Sequence, residues 1–300
     1  MSFARKFFNV WLRLTEKRHL SRVTTPEALR RSFEFKAKLA FHPPRGTTTR
    51  DDVLSGVPVT WVNEANDAGP LILYLHGGAY VMGSRRSYRA LSGQISKHTG
   101  GPVCLPEYRL APEHPFPAAI DDALAVYQAV MNRAGGVVIG GDSAGGGLAL
   151  ALLGEIIRLG LVMPLGTFAF SPLTDLSFSG KSVVTNAEAD VVLPAARTQE
   201  TAELYLPDGD LRDPRASPLF AGFAGASPVW LTVGDTEILL DDTRRMADKL
   251  RAQAVAVTEE IAHDLPHVWP LFHTYLPEAR ATLSAVAQWI RRLSPPSGDS

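Results

Sequence analysis

Residues 137–146 read Val-Val-Ile-Gly-Gly-Asp-Ser-Ala-Gly-Gly, and a strong helix former, Leu-Ala-Leu-Ala-Leu-Leu, follows at 148–153. No other stretch constrains the fold as tightly. A β-branched apolar run leads into Gly141-Asp142-Ser143-Ala144-Gly145, the form G-x-S-x-G, which places Ser143 on a sharp strand-to-helix turn with its hydroxyl clear of the sheet edge. The glycines are expected to supply backbone angles that a Cβ would obstruct. A serine so placed stands at a helix N-terminus, where free N–H groups favour developing negative charge. G-x-S-x-G alone also occurs in loops that merely close a βα unit. The strand before it and the helix after it give this one its weight.

A second element adds to it. Residues 71–75, Leu-Ile-Leu-Tyr-Leu, read as a buried strand and run straight into His76-Gly77-Gly78-Ala79-Tyr80. Two consecutive glycines after a strand let backbone N–H groups converge on one point, as the oxyanion of an acyl-transfer intermediate requires. The expected donors are Gly77 and Gly78, with the N–H of Ala144. His76 is expected to tether the loop rather than move protons.

The rest of the chain reads as alternating strands and helices. Strands are expected at 57–62 (an edge strand), 71–75, 103–108, 137–139, 167–170, 229–233 and 255–261. Short strands apolar on both faces, separated by helices, indicate an α/β fold with a mostly parallel sheet flanked by helices. Chemistry in such sheets gathers at the carboxyl ends of the strands. Residues 176–215 contain no clear strand and are expected to be helical lid material. The domain reading is a helical N-terminal cap at 1–55, with part of 176–215, a catalytic domain at 56–293 and a flexible tail at 294–300.

With 300 residues, 45% of them hydrophobic, one large domain is plausible. A net charge of −1 leaves no global nucleic-acid footprint, and no zinc-finger or dinucleotide-binding signature is present. The single cysteine, Cys104, excludes an intramolecular disulfide framework and suits a cytoplasmic location. Its apolar neighbours make it a buried small hydrophobe. No apolar run is long enough to span a membrane.

The first 38 residues are basic. Phe3, Phe7, Val10, Trp11 and Leu14 recur at helical spacing there, with Arg5, Lys6, Asn9 and Arg13 between them. The charges and the missing cleavage site exclude a secretory signal. This stripe is expected to pack on the body as part of a lid, in preference to lying on an anionic membrane surface. Thr25-Pro26 is expected to cap a further helix, with Leu29, Phe33 and Leu39 as its apolar positions.

A serine hydroxyl is a poor nucleophile at neutral pH and needs an imidazole to take its proton. The imidazole in turn needs a carboxylate to fix its tautomer. Chain order serine, acid, histidine leaves His263, His267 and His273. His267, in a loop just after the last strand, is the choice. His263 is the reserve, and His273 is assigned to the following helix. A metal site from His263 and His267 fails, because Pro266 disfavours the helix that would align their rings. The acid should follow the strand at 229–233. Asp241 and Asp242 suit a helix N-terminus, leaving Asp235 and Glu237 as candidates that pattern alone does not separate.

Four ordered motifs, residues 76–80, 108–117, 141–146 and 266–269, resemble those of bacterial hormone-sensitive-lipase-like esterases, which are α/β-hydrolases. The resemblance covers roughly residues 56–292 and extends to a helical N-terminal cap. It implies Ser143 as nucleophile, His267 as base and then acid, and Gly77, Gly78 and Ala144 as oxyanion donors. Many relatives carry Asp-Pro-Leu-Arg-Asp-Glu after the acid-bearing strand. Laid on this chain without gaps, that motif makes Glu237 the triad acid, one methylene longer than usual, with Asp235 second. Ala79 stands where many relatives have a third glycine. The 108–117 block is expected to be structural, its prolines fixing a connection into a helix near Asp121.

The implied reaction is hydrolysis of short- to medium-chain carboxylic esters through an acyl-enzyme, with no metal or organic cofactor. The implied partner is a small-molecule ester, and a homodimer is compatible with the sequence. An amidase or lactonase would use the same residues. A non-enzymatic ligand receptor on this fold is the alternative from another class.

Overall fold

The computed structural model describes residues 3–293, and the expected tail at 294–300 lies outside them. Eight strands form one sheet: β1 Thr49–Leu54, β2 Val57–Val62, β3 Leu71–Leu75, β4 Val103–Pro106, β5 Val137–Asp142, β6 Gly166–Phe170, β7 Val229–Gly234 and β8 Val257–Ala262. Their spatial order is β1-β2-β4-β3-β5-β6-β7-β8. The first two pairings in that order are antiparallel and the rest parallel. The helices are α1 Phe3–Leu12, α2 Arg18–Arg22, α3 Pro26–Ala40, α4 Arg89–Thr99, α5 Ala118–Val130, α6 Ser143–Leu159, α7 Ser182–Thr185, α8 Thr198–Tyr205, α9 Leu240–Ala252 and α10 Pro277–Arg292.

Side-chain alternation along the buried strands sorts the core into two layers. Leu71, Leu73 and Leu75 of β3 pack with α5 and α6, among Val126, Leu148 and Leu152. Ile72 and Tyr74 face the other way, among Leu91 and Ile95 of α4 and Leu283, Val286 and Ile290 of α10. Cys104 is fully buried on the α5–α6 side, and burial pushes its thiol pKa up.

One strand expectation needs correction. The strand at 57–62 is not an edge: β2 pairs on one side with β4 and on the other with β1. That edge strand, Thr49-Arg50-Asp51-Asp52-Val53-Leu54, carries no apolar alternation because most of it faces water. Its charges guard the edge against a further strand. Ser55 and Gly56, both at positive φ, make the two-residue hairpin between β1 and β2. Between 176 and 215 the helices are α7 and α8, and no described residue there is in a strand.

The N-terminal helix also differs. The buried positions of α1 are Arg5, Asn9 and Leu12, with Phe8 half-buried, whereas Phe7, Val10, Trp11 and Leu14 are exposed. Phe3, the fifth residue of the expected stripe, has a side chain outside the described residues. Polar anchors decide the orientation. Arg5 donates to the His263 carbonyl at 2.6 Å, and Asn9 donates to the Asp264 carbonyl at 3.0 Å. Phe8 stacks edge-on against Phe272. The helix at Thr25 starts as expected, with the threonine hydroxyl accepting from the Ala28 N–H and Pro26 in the first turn.

Candidate active site

Strand β5 runs directly into α6, and the turn between them is Ser143 itself, at φ 53°. A left-handed serine costs on the order of 1–3 kcal/mol and persists only where the surroundings enforce it. The flanking glycines do that by permitting close approach. A Cβ on Gly145 would collide with the carbonyl oxygens of Leu75 and His76, and one on Gly141 with that of Gly145. Neither glycine has a positive φ. The expectation that the glycines carry the unusual angles is therefore corrected: the strain sits on the serine.

The Ser143 Oγ lies 2.9 Å from His267 Nε2, and His267 Nδ1 lies 2.6 Å from a Glu237 carboxylate oxygen. Glu237 follows β7 and His267 follows β8, so neighbouring parallel strands bring the two together. The other Glu237 oxygen accepts from the Gly234 N–H at 2.6 Å and the Ser171 hydroxyl at 2.8 Å. Burial opposes the imidazolium of His267. Glu237 outweighs it, through charge and hydrogen bond, with Asp190 and Asp142 adding to the field, and the pKa stands above its ordinary value of 6.5. Burial pushes Glu237 upward against the pull of His267.

The rival residues fall elsewhere. Asp235 pairs with His263, Nδ1 to carboxylate 2.6 Å, and accepts from the Asp264 N–H. His263 is largely exposed there, and the two imidazoles address different partners. Asp241 and Asp242 lie in the first turn of α9, as expected. His273 is not in the following helix, which begins at Pro277; it closes the turn Trp269–Phe272. Burial pulls its pKa down to about 4.

The oxyanion loop also needs a correction. The Gly77 N–H donates to Asp142 Oδ1 at 3.0 Å and to the Tyr88 hydroxyl at 3.2 Å, so it is committed. The loop bends beyond it, with Gly78 at φ 125° and Ala79 at φ 56°. Gly78 and Ala79, not Gly77, line the cavity that contains Ser143. Among the described residues, the N–H groups of Gly78, Ala79 and Ala144 have no backbone or side-chain acceptor outside their own helix or strand.

His76 does tether this loop. It is fully buried, with its pKa pulled down to about 4 by burial. Its ring stacks on Tyr108 with centroids 4.3 Å apart, and the Tyr108 hydroxyl donates to the His76 carbonyl at 2.6 Å. Through Tyr108 the 108–117 block braces the loop, which accounts for its structural role.

Sequence reasoning missed three supports. Ser171, one residue past β6, donates to Glu237 and accepts from the Val268 N–H at 3.1 Å. Asp190 accepts from the N–H groups of Val192, Leu193 and Ile238, fastening the Glu237 loop to the 190s segment. Asp142 accepts from Tyr74, Tyr88 and Gly77, which locks the serine turn to the oxyanion loop. Burial raises its pKa to about 6. Only the positions of Asp142 and Ser171, beside strand ends, carry a signal in sequence.

Two cavities meet at Ser143. The larger, ≈ 410 Å³, runs under α1 and α3 past Leu12, Phe33, Ala37 and Phe272. The smaller, ≈ 120 Å³, lies between Leu29 of α3, Leu173 and α8. Both are lined mainly by apolar side chains.

A protein family described as having the alpha/beta hydrolase fold matches residues 72–271. An acetyl-hydrolase of Streptomyces hygroscopicus is 37% identical over 77% of this chain and 78% of its own length. The solved structure of EstE5 superposes with a TM-score of 0.92, 35% identity and coverage of 98% of this chain and 99% of that one. An esterase of the bacterial hormone-sensitive lipase family gives 0.91 and 32%, over 98% and 99%. With family match, fold and motif order in agreement, the chain belongs to the α/β-hydrolase fold family, in its bacterial hormone-sensitive-lipase-like branch.

Proposed function

We propose that this chain, a carboxylic ester hydrolase by family, works as a serine esterase on short- to medium-chain esters. Ser143 attacks the ester carbonyl while His267 Nε2 takes its proton. Glu237 holds the ring and stabilises the imidazolium. The oxyanion is received by the N–H groups of Gly78, Ala79 and Ala144. The alcohol leaves with the proton from His267, and water activated by the same imidazole releases the acid. The observation that carries this reading is the unbroken chain from Ser143 to His267 to Glu237, with links of 2.9 and 2.6 Å.

An ester has two arms, and two apolar cavities meeting at one hydroxyl suit them. Residues 1–55 and part of 176–215 serve as the cap, since α3 and α8 line those cavities. The test is hydrolysis of aryl esters of graded acyl length by wild type and Ser143→Ala. Turnover falling from short to long chains, and lost in the variant, is expected. Equal rates in the two proteins would remove Ser143 from the mechanism.

A further inference from the structure

The cap helix α1 is docked by its polar side and turns its aromatic side to water. Arg5 and Asn9 bind the 263–264 segment, and Arg13 donates to the carbonyls of Glu188 and Ala189. Phe7, Val10, Trp11 and Leu14 then project along the opposite face, with Phe7 77% exposed. The neighbouring α3 does the same: Phe35 is 65% and Leu39 62% exposed, and a Lys36–Glu16 ion pair ties α3 to the segment just after α1. Large apolar side chains gathered on one surface mark an interaction site.

The exposed charge around this face is mainly positive, with Glu27 of α3 the one exposed carboxylate among residues 5–40. Lys6, Arg18, Arg22, Arg31 and Lys38 are all exposed. None of the five is in an ion pair among the described residues. Exposed aromatics interleaved with uncompensated cations complement an anionic lipid surface, where rings enter the headgroup layer and cations meet phosphates. A second copy of the chain fits less well, because a two-fold contact would set this basic rim against itself.

The face is continuous with the larger cavity. Trp11, Leu39 and Tyr275 are each exposed and also line that cavity, so they form its rim. We propose that the exposed face of α1 and α3 docks this protein on anionic lipid surfaces, with the mouth of the Ser143 cavity against the lipid. An apolar ester then passes from the lipid layer to Ser143 without crossing bulk water. That passage rests on the esterase reading; the docking does not.

Cosedimentation with lipid vesicles tests it without turnover. The probes are phosphatidylcholine vesicles, neutral or carrying about 30% phosphatidylglycerol. Wild type is expected to partition at least about tenfold more onto the anionic vesicles, and to be released as salt rises towards roughly 0.5 M. Phe7→Ser/Leu14→Ser/Phe35→Ser alters only side chains outside both cavities. It is expected to lower partitioning about tenfold while hydrolysis of a water-soluble aryl acetate is unchanged. Ser143→Ala is expected to bind vesicles like wild type, which separates failure of docking from failure of the catalytic reading. Equal pelleting with both vesicle types, or of the triple variant and wild type, would overturn the proposal. So would a dimer that these substitutions dissolve in a protein that ignores lipid.

Discussion

Glu237 reaches His267 from the position where the family resemblance implies a shorter acid, and what surrounds it makes the extra methylene workable. Gly234 leaves room beside its carboxylate, and Ser171 and the Gly234 N–H hold the oxygen that does not face the imidazole. Glu237→Gln keeps the shape and removes the charge, so kcat is expected to fall by roughly ten-thousandfold. The residual pH profile carries a second expectation. In the proposed mechanism His267 acts as base only when neutral, so activity is expected to rise with pH through its pKa, which Glu237 holds above the ordinary value. Removing the carboxylate removes the stabilisation of the imidazolium, and the acid limb of kcat/KM should move to lower pH. An unmoved limb would take Glu237 out of contact with the base.

Also at this scale, Gly77 and Ala79 carry opposite expectations. A Cβ on Gly77 would collide with the Asp142 carboxylate, so Gly77→Ala should displace the oxyanion loop and cut kcat about a hundredfold or more. Ala79→Gly relieves a left-handed alanine, keeps the N–H and should leave kcat within a few-fold, with stability unchanged or raised by about 1 kcal/mol. Steady-state kinetics and thermal melts on the two variants check both statements.

Among the elements, the β5–Ser143–α6 turn was the most legible, because a β-branched run, tight glycines and a helix former leave one way to connect. Its tolerance should be correspondingly low. Gly145→Ala puts a methyl into two carbonyl oxygens of the β3 end and is expected to cost on the order of 4 kcal/mol, read as a large drop in denaturation midpoint. A loss under about 1 kcal/mol would mean that the turn relaxes easily. Other elements were hidden for definite reasons. Strand β1 is a polar edge, and period-two patterns vanish where neither face is buried. The buried face of α1 could not be chosen from its apolar stripe, since Arg5 and Asn9 bind backbone carbonyls that only the folded body presents. Pattern alone did not separate Asp235 from Glu237, because both follow β7 within three residues; the folded loops send one to His263 and the other to His267.

At the scale of the molecule, the site exists only when the sheet is complete. The loops after β3, β5, β7 and β8 carry the residues proposed as oxyanion donors, nucleophile, acid and base, and the sheet order places β3 beside β5 and β7 beside β8. The fold class was readable because buried parallel strands impose short, uninterrupted apolar runs on the sequence. The direction of amides in the 76–80 loop was not, because it depends on the Asp142 carboxylate that captures Gly77. Among the described residues no helix is long and apolar enough to cross a membrane. Any lipid contact is therefore assigned to the surface of the cap, not to a helical span.

The most direct measurement is intact-mass and peptide mapping after exposure to an alkyl phosphonate aryl ester, which phosphonylates an activated serine in place of forming an acyl-enzyme. One adduct is expected, on Ser143, forming with the pH dependence of turnover and absent from Ser143→Ala. An adduct on another residue, or an adduct-free protein that has nonetheless lost its esterase activity, would contradict it.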